Sequence, residues 1–137
     1  RSLPMIKTVD LKTNRHTEFL SVTSLVEETL RTSEKRDGIC HLFVPHTTAG
    51  ITINENADPD VCHDLLLTLE ELIPQHRRGY QHGEGNSDAH LKATLYGPSL
   101  TLLVSKGRLV LGTWQGIYFC EFDGPRRRKY HVKVLEG

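Results

Sequence analysis

The 137-residue sequence predicts a single α+β domain whose strands are mostly antiparallel. Three observations point that way. Short apolar runs of strand length recur, about seven or eight of them. Two or three segments instead carry helical period. Few of the connections between strand runs hold a helix, and parallel neighbours need such crossovers, so most neighbours are expected to be antiparallel.

Taken in order, Met5 to Lys12 reads as a first strand and His16 to Val22 as a second, joined by a hairpin through Thr13-Asn14-Arg15. Ser24-Leu25-Val26-Glu27 has the form of a capping box opening a helix. Leu25, Val26, Thr29 and Leu30 give that helix its apolar stripe, and Asp37-Gly38 stops it. Gly38 to Val44 reads as a buried strand with Gly50 to Asn54 as its partner. Asp58-Pro59 opens the longest helix: an aspartate accepts from free amides, and proline has no amide to leave unpaired. Val61, Leu65, Leu66, Leu69, Leu72 and Ile73 keep helical period until Pro74. A polar loop over residues 75–86 follows, then a short helix from a capping Ser87 through Leu95, closed by Gly97-Pro98. The remainder reads as strands over Leu100 to Val104, Arg108 to Trp114, Ile117 to Phe122 and Tyr130 to Leu135.

Composition narrows the function classes. A chain of this length buries roughly 68% of the surface its unfolded form exposes, so it needs no disulfide to hold a core. Lys plus Arg and Asp plus Glu number 17 each. That balance argues against non-specific nucleic-acid binding, which wants a basic excess. No stretch approaches the ~20 apolar residues of a membrane span. Cys40, Cys62 and Cys120 form no CxxC pair, which fits a reducing compartment. The cytoplasm is the default address. Residues 1–4 are expected to be an expression remnant before Met5, with the domain over 5–137.

Three loops concentrate polar, titratable residues. The first is Pro45 to Gly50 with Asn54-Glu55-Asn56, the second Tyr80 to His90, and the third Gly112 to Gly116. His46, His82 and His90 sit in the first two. Three imidazoles with an open position would make a catalytic metal site, yet their spacing matches no short zinc motif, and each could equally cap an element and meet solvent. His63-Asp64, in the first turns of the long helix, reads either as a general acid–base pair or as groups favoured by the helix dipole. Glu55 reads as a general base or as a strand-end charge in solvent. Thr47-Thr48-Ala49-Gly50 offers hydroxyls and closely spaced amides to a phosphate, without a glycine-loop motif. Thr113-Trp114-Gln115 offers a ring to stack and an amide to bond, against the plainer reading of Trp114 as a core residue. Arg126-Arg127-Arg128-Lys129 reads as a solvated turn rather than an anion site.

Together these residues resemble the YjbQ-type family, whose members carry the label secondary thiamine-phosphate synthase. His46-Thr47-Thr48-Ala49-Gly50 through Asp58-Pro59 is similar to its first block, and His82-Gly83-Glu84-Gly85-Asn86-Ser87-Asp88-Ala89-His90-Leu91-Lys92 to its second. Ser99 through Gly107-Arg108 to Gly112-Thr113-Trp114-Gln115-Gly116-Ile117 is similar to its third. The resemblance implies two packed sheets, a homotrimer, and a polar cleft near the subunit contacts. It carries over His46, His82 and His90 as loop histidines, with His63-Asp64 and Asn54-Glu55 matching the pattern. It implies coupling of a pyrimidine methyl diphosphate to a thiazole phosphate with release of diphosphate. Thr47, Thr48 and Lys92 would then clamp phosphate, Trp114 and Gln115 would hold the pyrimidine, and a divalent ion such as zinc or magnesium would assist. No organic cofactor is expected. Two alternatives stay open: a metal-dependent hydrolase or lyase with Glu55 or Asp64 as base, and a non-catalytic trimeric ligand-binding protein.

Overall fold

The computed structural model describes residues 6–137, so Met5 and the expected remnant before it lie outside the described residues. Its strands are β1 (Lys7–Lys12), β2 (Glu18–Ser21), β3 (Gly38–Phe43), β4 (Ala49–Glu55), β5 (Ser99–Ser105), β6 (Arg108–Leu109), β7 (Gln115–Glu121) and β8 (Arg127–Glu136). Its helices are α1 (Thr23–Ser33), α2 (Pro59–Leu72) and α3 (Ser87–Tyr96). The strands form a five-stranded sheet, order β1-β8-β3-β5-β6, and a three-stranded sheet, order β2-β7-β4. Every pairing is antiparallel.

Period-two alternation sends one side of each sheet into the core. Cys40 and Leu42 of β3, Leu102 and Val104 of β5, and Tyr130, Val132 and Val134 of β8 face Ile51 of β4 and Ile117 and Phe119 of β7. Val26 and Leu30 of α1 complete this core, each buried side chain being worth about 1.5–3 kcal/mol of transfer free energy. Tyr118 and Cys120, on the opposite face of β7, join Phe122, Phe19, Ala89, Ala93 and Tyr96 in a second apolar layer beneath the helices. Gly50 lets α3 approach β4: a Cβ there would lie 2.9 Å from the Gly97 carbonyl oxygen.

The pairings correct two expectations. β1 and β2 form no hairpin, because they belong to different sheets and pair with β8 and β7. Thr13 is fully buried and its amide extends the β1–β8 ladder to the Arg126 carbonyl at 3.0 Å, so the following turn crosses between sheets. β3 and β4 are likewise not partners: β3 lies between β5 and β8, while β4 pairs with β7. Residues 44–48 make a second crossing. A local hydrophobic pattern fixes which face is buried but not which sheet a strand joins.

Helix starts also depart in part from expectation. Ser24 makes no capping box, since α1 starts at Thr23 with no side-chain cap. The Thr23 hydroxyl instead accepts from the Ile117 amide at 2.9 Å, which β2 leaves free by ending at Ser21. Ser87 is the first helical residue of α3 rather than its cap. Asp58 does cap α2, accepting from the Asp60 amide at 2.9 Å with Pro59 behind it. The strand expected over Arg108 to Trp114 shrinks to Arg108–Leu109, because Gly112 to Gln115 folds into a turn. Among the described residues, no helix is long and apolar enough to cross a membrane.

Candidate functional site

The first polar loop is held at a corner where both sheets meet. Thr48 is buried, and its hydroxyl accepts from Arg128 Nη2 at 2.9 Å. Arg128 also donates from Nε to Glu121 Oε1 at 2.9 Å and from Nη2 to Oε2. The Thr13 hydroxyl donates to Glu121 Oε1 at 2.8 Å, and the Asp123 amide to Oε2 at 2.9 Å. Burial pushes the Glu121 carboxyl up, but hydrogen bonds from Arg128, Asp123 and Thr13 outweigh it and hold the group below its ordinary value.

His46 rides on this corner, half-buried. Its Nε2 accepts from the Lys129 amide at 3.0 Å, and its ring stands edge-on to Phe119. Burial, then the Arg128 charge, lowers the His46 pKa from its ordinary value despite the raising effects of the Lys129 backbone contact and of Glu121. Thr47 is exposed, so its side chain is open to a ligand, whereas the Thr48 hydroxyl already serves Arg128.

The second loop brings two of the three candidate histidines together. The rings of His82 and His90 lie 5.3 Å apart between centroids and perpendicular. His82 Nε2 is 3.2 Å from Glu84 Oε1. Asn86 ties the loop to the end of β7, donating to Asp123 Oδ2 at 2.8 Å. Lys92 is only 1% exposed, and its ammonium donates to Asp88 Oδ2, 3.2 Å away on the preceding turn of α3. The expected phosphate clamp is thus held inside the helix–sheet layer.

The third group forms at one end of the three-stranded sheet, where Glu55 and Gln115 are register partners. The Asn54 side chain accepts from the Glu55 amide at 2.7 Å, and the Glu55 carbonyl accepts from the Tyr118 hydroxyl at 3.0 Å. Gln115 Oε1 closes its own turn on the Gly112 amide at 2.8 Å. The Asn56 amide donates to the Trp114 carbonyl at 2.9 Å. Gly116 permits this approach, since a Cβ there would lie 2.4 Å from Asn56 Nδ2. Trp114 is 62% exposed, which sets aside its reading as a core residue; Thr113 beside it is exposed too. His63 Nδ1 lies 3.0 Å from Asp64 Oδ1 on the exposed side of α2.

The structure therefore joins His82 with His90, Glu55 with Gln115, and His63 with Asp64, and keeps His46 apart at the sheet corner. Among the described residues, no three His, Cys, Asp or Glu side chains gather as a metal-holding group. Sequence reasoning missed Arg128, Glu121, Thr13 and Asp88. A signal existed for two of them: Arg128 is in phase with Tyr130, Val132 and Val134, and Glu121 with Ile117 and Phe119. The expected solvated turn over Arg126 to Lys129 is corrected: Arg127 onward is strand β8, with Arg126, Arg127 and Lys129 exposed and Arg128 buried.

Two antiparallel sheets, three helices and polar loops at the sheet ends define an α+β class. The chain belongs to the UPF0047 YjbQ-like family, whose model matches residues 7–137. A UPF0047 protein of Methanocaldococcus jannaschii is 49% identical over 97% of this chain and 96% of its own length. The UPF0047 protein YugU of Bacillus subtilis is 48% identical over 96% and 99%. Among solved structures, an uncharacterized YjbQ/UPF0047 protein of Clostridium acetobutylicum superposes with a TM-score of 0.92 at 51% identity, covering 94% of this chain and 99% of that one. A protein of unknown function from Sulfolobus solfataricus gives 0.91 at 34% identity, covering 96% of each.

Proposed function

We propose that this chain is a small-molecule enzyme that joins a phosphorylated heterocycle to a second ring with release of diphosphate, as the thiamine-phosphate synthase label of its family implies. The carrying observation is the His82–His90 pair, two imidazoles side by side at the start of α3 with Glu84 against one of them. Such a pair suits a shared divalent ion, which would offset the charge developing on a departing diphosphate. Exposed Trp114, with Gln115 next to it, offers a flat ring for stacking a pyrimidine. Thr47 offers a hydroxyl to phosphate. The test is incubation of both substrates with Mg²⁺, with metal content measured for wild type, His82→Ala and His90→Ala. Formation of thiamine phosphate that falls with either substitution supports the reading, and absence of product overturns it.

A second reading, a metal-dependent hydrolase or lyase, draws on the contact between His63 and Asp64 at 3.0 Å. Asp64 would act as the base in that reading, with the His63 ring against its carboxylate. Turnover of phosphorylated small molecules that is lost on chelation, without coupling, would favour it.

The reading includes a homotrimer in the cytoplasm. The outer face of the five-stranded sheet supports self-association, since Ile39, Leu103 and Leu135 are register neighbours exposed there, with Phe43 at the end of the central strand β3. Sedimentation at micromolar concentration tests it, and a monomer overturns it.

A further inference from the structure

We propose that His46 binds ligand as a neutral hydrogen-bond donor, offering the proton on Nδ1 to a phosphate-type oxygen, and is not a metal ligand. The inference rests on reading the polar loops as the ligand site. It begins with the backbone amide of Lys129, which lies 3.0 Å from His46 Nε2. An amide N–H can only donate, so Nε2 must present its lone pair to it. A neutral imidazole has one protonated nitrogen, which is then Nδ1. The lone pair a metal would need at Nε2 is already used, and Nδ1 carries a proton instead.

The ring is held in this role from several sides. Phe119 stands edge-on to it. The loop is pinned ahead of it by the Val44 amide donating to the Pro98 carbonyl at 2.7 Å, and behind it by Thr48 on Arg128. Burial and the charges of Arg128 and Lys129 oppose a second proton on the ring and outweigh the raising effects of the Lys129 backbone contact and of Glu121, whose carboxylate is already bonded by Arg128, Thr13 and Asp123.

What this corner offers outward is donors. The Nδ1 proton lies next in sequence to the exposed Thr47 hydroxyl, in cationic surroundings. Donors of this kind suit an atom that only accepts, and phosphate oxygens are such atoms. A neutral imidazole used as a donor also keeps its strength across neutral pH, where an ordinary histidine changes charge.

The experiment uses the whole chain with ¹⁵N-labelled histidine and inorganic diphosphate as the probe. Long-range ¹⁵N–¹H correlation at neutral pH reads the tautomer of wild type directly, and the expected result is a proton on Nδ1. Diphosphate titration is expected to move that resonance. His46→Ala should weaken diphosphate binding by about 10- to 100-fold, the worth of a hydrogen bond to a charged acceptor. His46→Asn, whose amide nitrogen falls near the Nδ1 position, should stay within a few-fold of wild type. Zinc stoichiometry should be the same in all three.

An Nε2-protonated ring, loss of zinc in His46→Asn, diphosphate affinity indifferent to His46→Ala, or no diphosphate binding by wild type would each overturn the proposal. The tautomer measurement needs no variant, so it stands even where His46→Ala fails to fold. Diphosphate binding through His46 without formation of thiamine phosphate would sink the coupling reading and leave this one intact. Coupling by a chain whose diphosphate affinity ignores His46 would do the reverse.

Discussion

Arg128 and Glu121 form a two-pronged ion pair across the space between the two sheets. Arg128 belongs to β8 of the larger sheet and Glu121 to β7 of the smaller one. Their side chains are 3% and 0% exposed. Removing two charges from water costs several kcal/mol each, so the pair holds only because every prong is matched. Thr13, Thr48 and the Asp123 amide supply the remaining partners, and the two threonines begin and end the crossings between sheets.

Breaking this pair from one side should be severe. Glu121→Leu leaves a guanidinium buried without its counter-charge, and the expected loss is about 3–5 kcal/mol of unfolding free energy. Glu121→Leu combined with Arg128→Met removes both charges and should recover most of that loss. Urea denaturation of the two single variants and the double variant reads the coupling directly. Additive losses would show that the two side chains act independently.

Acid should expose the same pair through linkage. The folded protein holds the Glu121 pKa below its ordinary value, so over the window between the two values the unfolded chain binds more protons. The contribution is present above the ordinary carboxylate range and is lost as pH falls through the folded value. A plot of unfolding free energy against pH should therefore drop more steeply on the acid side for wild type than for the double variant.

His46 should add a separate step at higher pH. Its folded pKa lies below the ordinary histidine value of about 6.5, so the unfolded state takes up its proton first as pH falls. Stability is full above about pH 6.5 and declines below it. His46→Asn, which cannot titrate, should flatten this part of the curve, and equal curvature in the two proteins would contradict the assignment.

The three cysteines should differ in reactivity. Burial pushes the Cys40 thiol up to about 11 and raises that of Cys120 as well, and both are fully buried. Cys62 is only half-buried on α2. A thiol reagent read by mass spectrometry should label Cys62 first in the native protein, with the other two reacting only on unfolding. Early labelling of Cys40 would mean that the sheet core opens below its global unfolding free energy.

Much of the secondary structure was legible in local pattern. The Asp58-Pro59 start of α2 is written in two residues whose physical roles are local, and the structure realises both. Strand pairing was not legible at the crossings. Thr13 looks like a hairpin residue until its hydroxyl meets Glu121, 108 positions away in sequence. The polar loops stood out by composition, but which histidines meet depends on how α3 sits against β4. The resemblance implies Lys92 as a phosphate clamp, and nothing in the local pattern marks Asp88, one turn earlier, as the partner that holds it. A charge in phase with apolar neighbours, as at Arg128, was the overlooked clue.

The place of β8 in the larger sheet bears on how the chain first comes together. β8 lies between β1 and β3, yet it is made after every other strand of that sheet. During synthesis, β1 has no neighbour in its sheet, and β3 can pair only with β5. A chain emerging from the ribosome therefore carries two open strand edges and a core lacking Tyr130, Val132 and Val134 until residues 127–136 are released. Such long-range closure is slow and leaves apolar surface open to other chains meanwhile. The nascent protein should thus be a client of holding chaperones for its whole length, and release of the β8 segment should be the event that frees it.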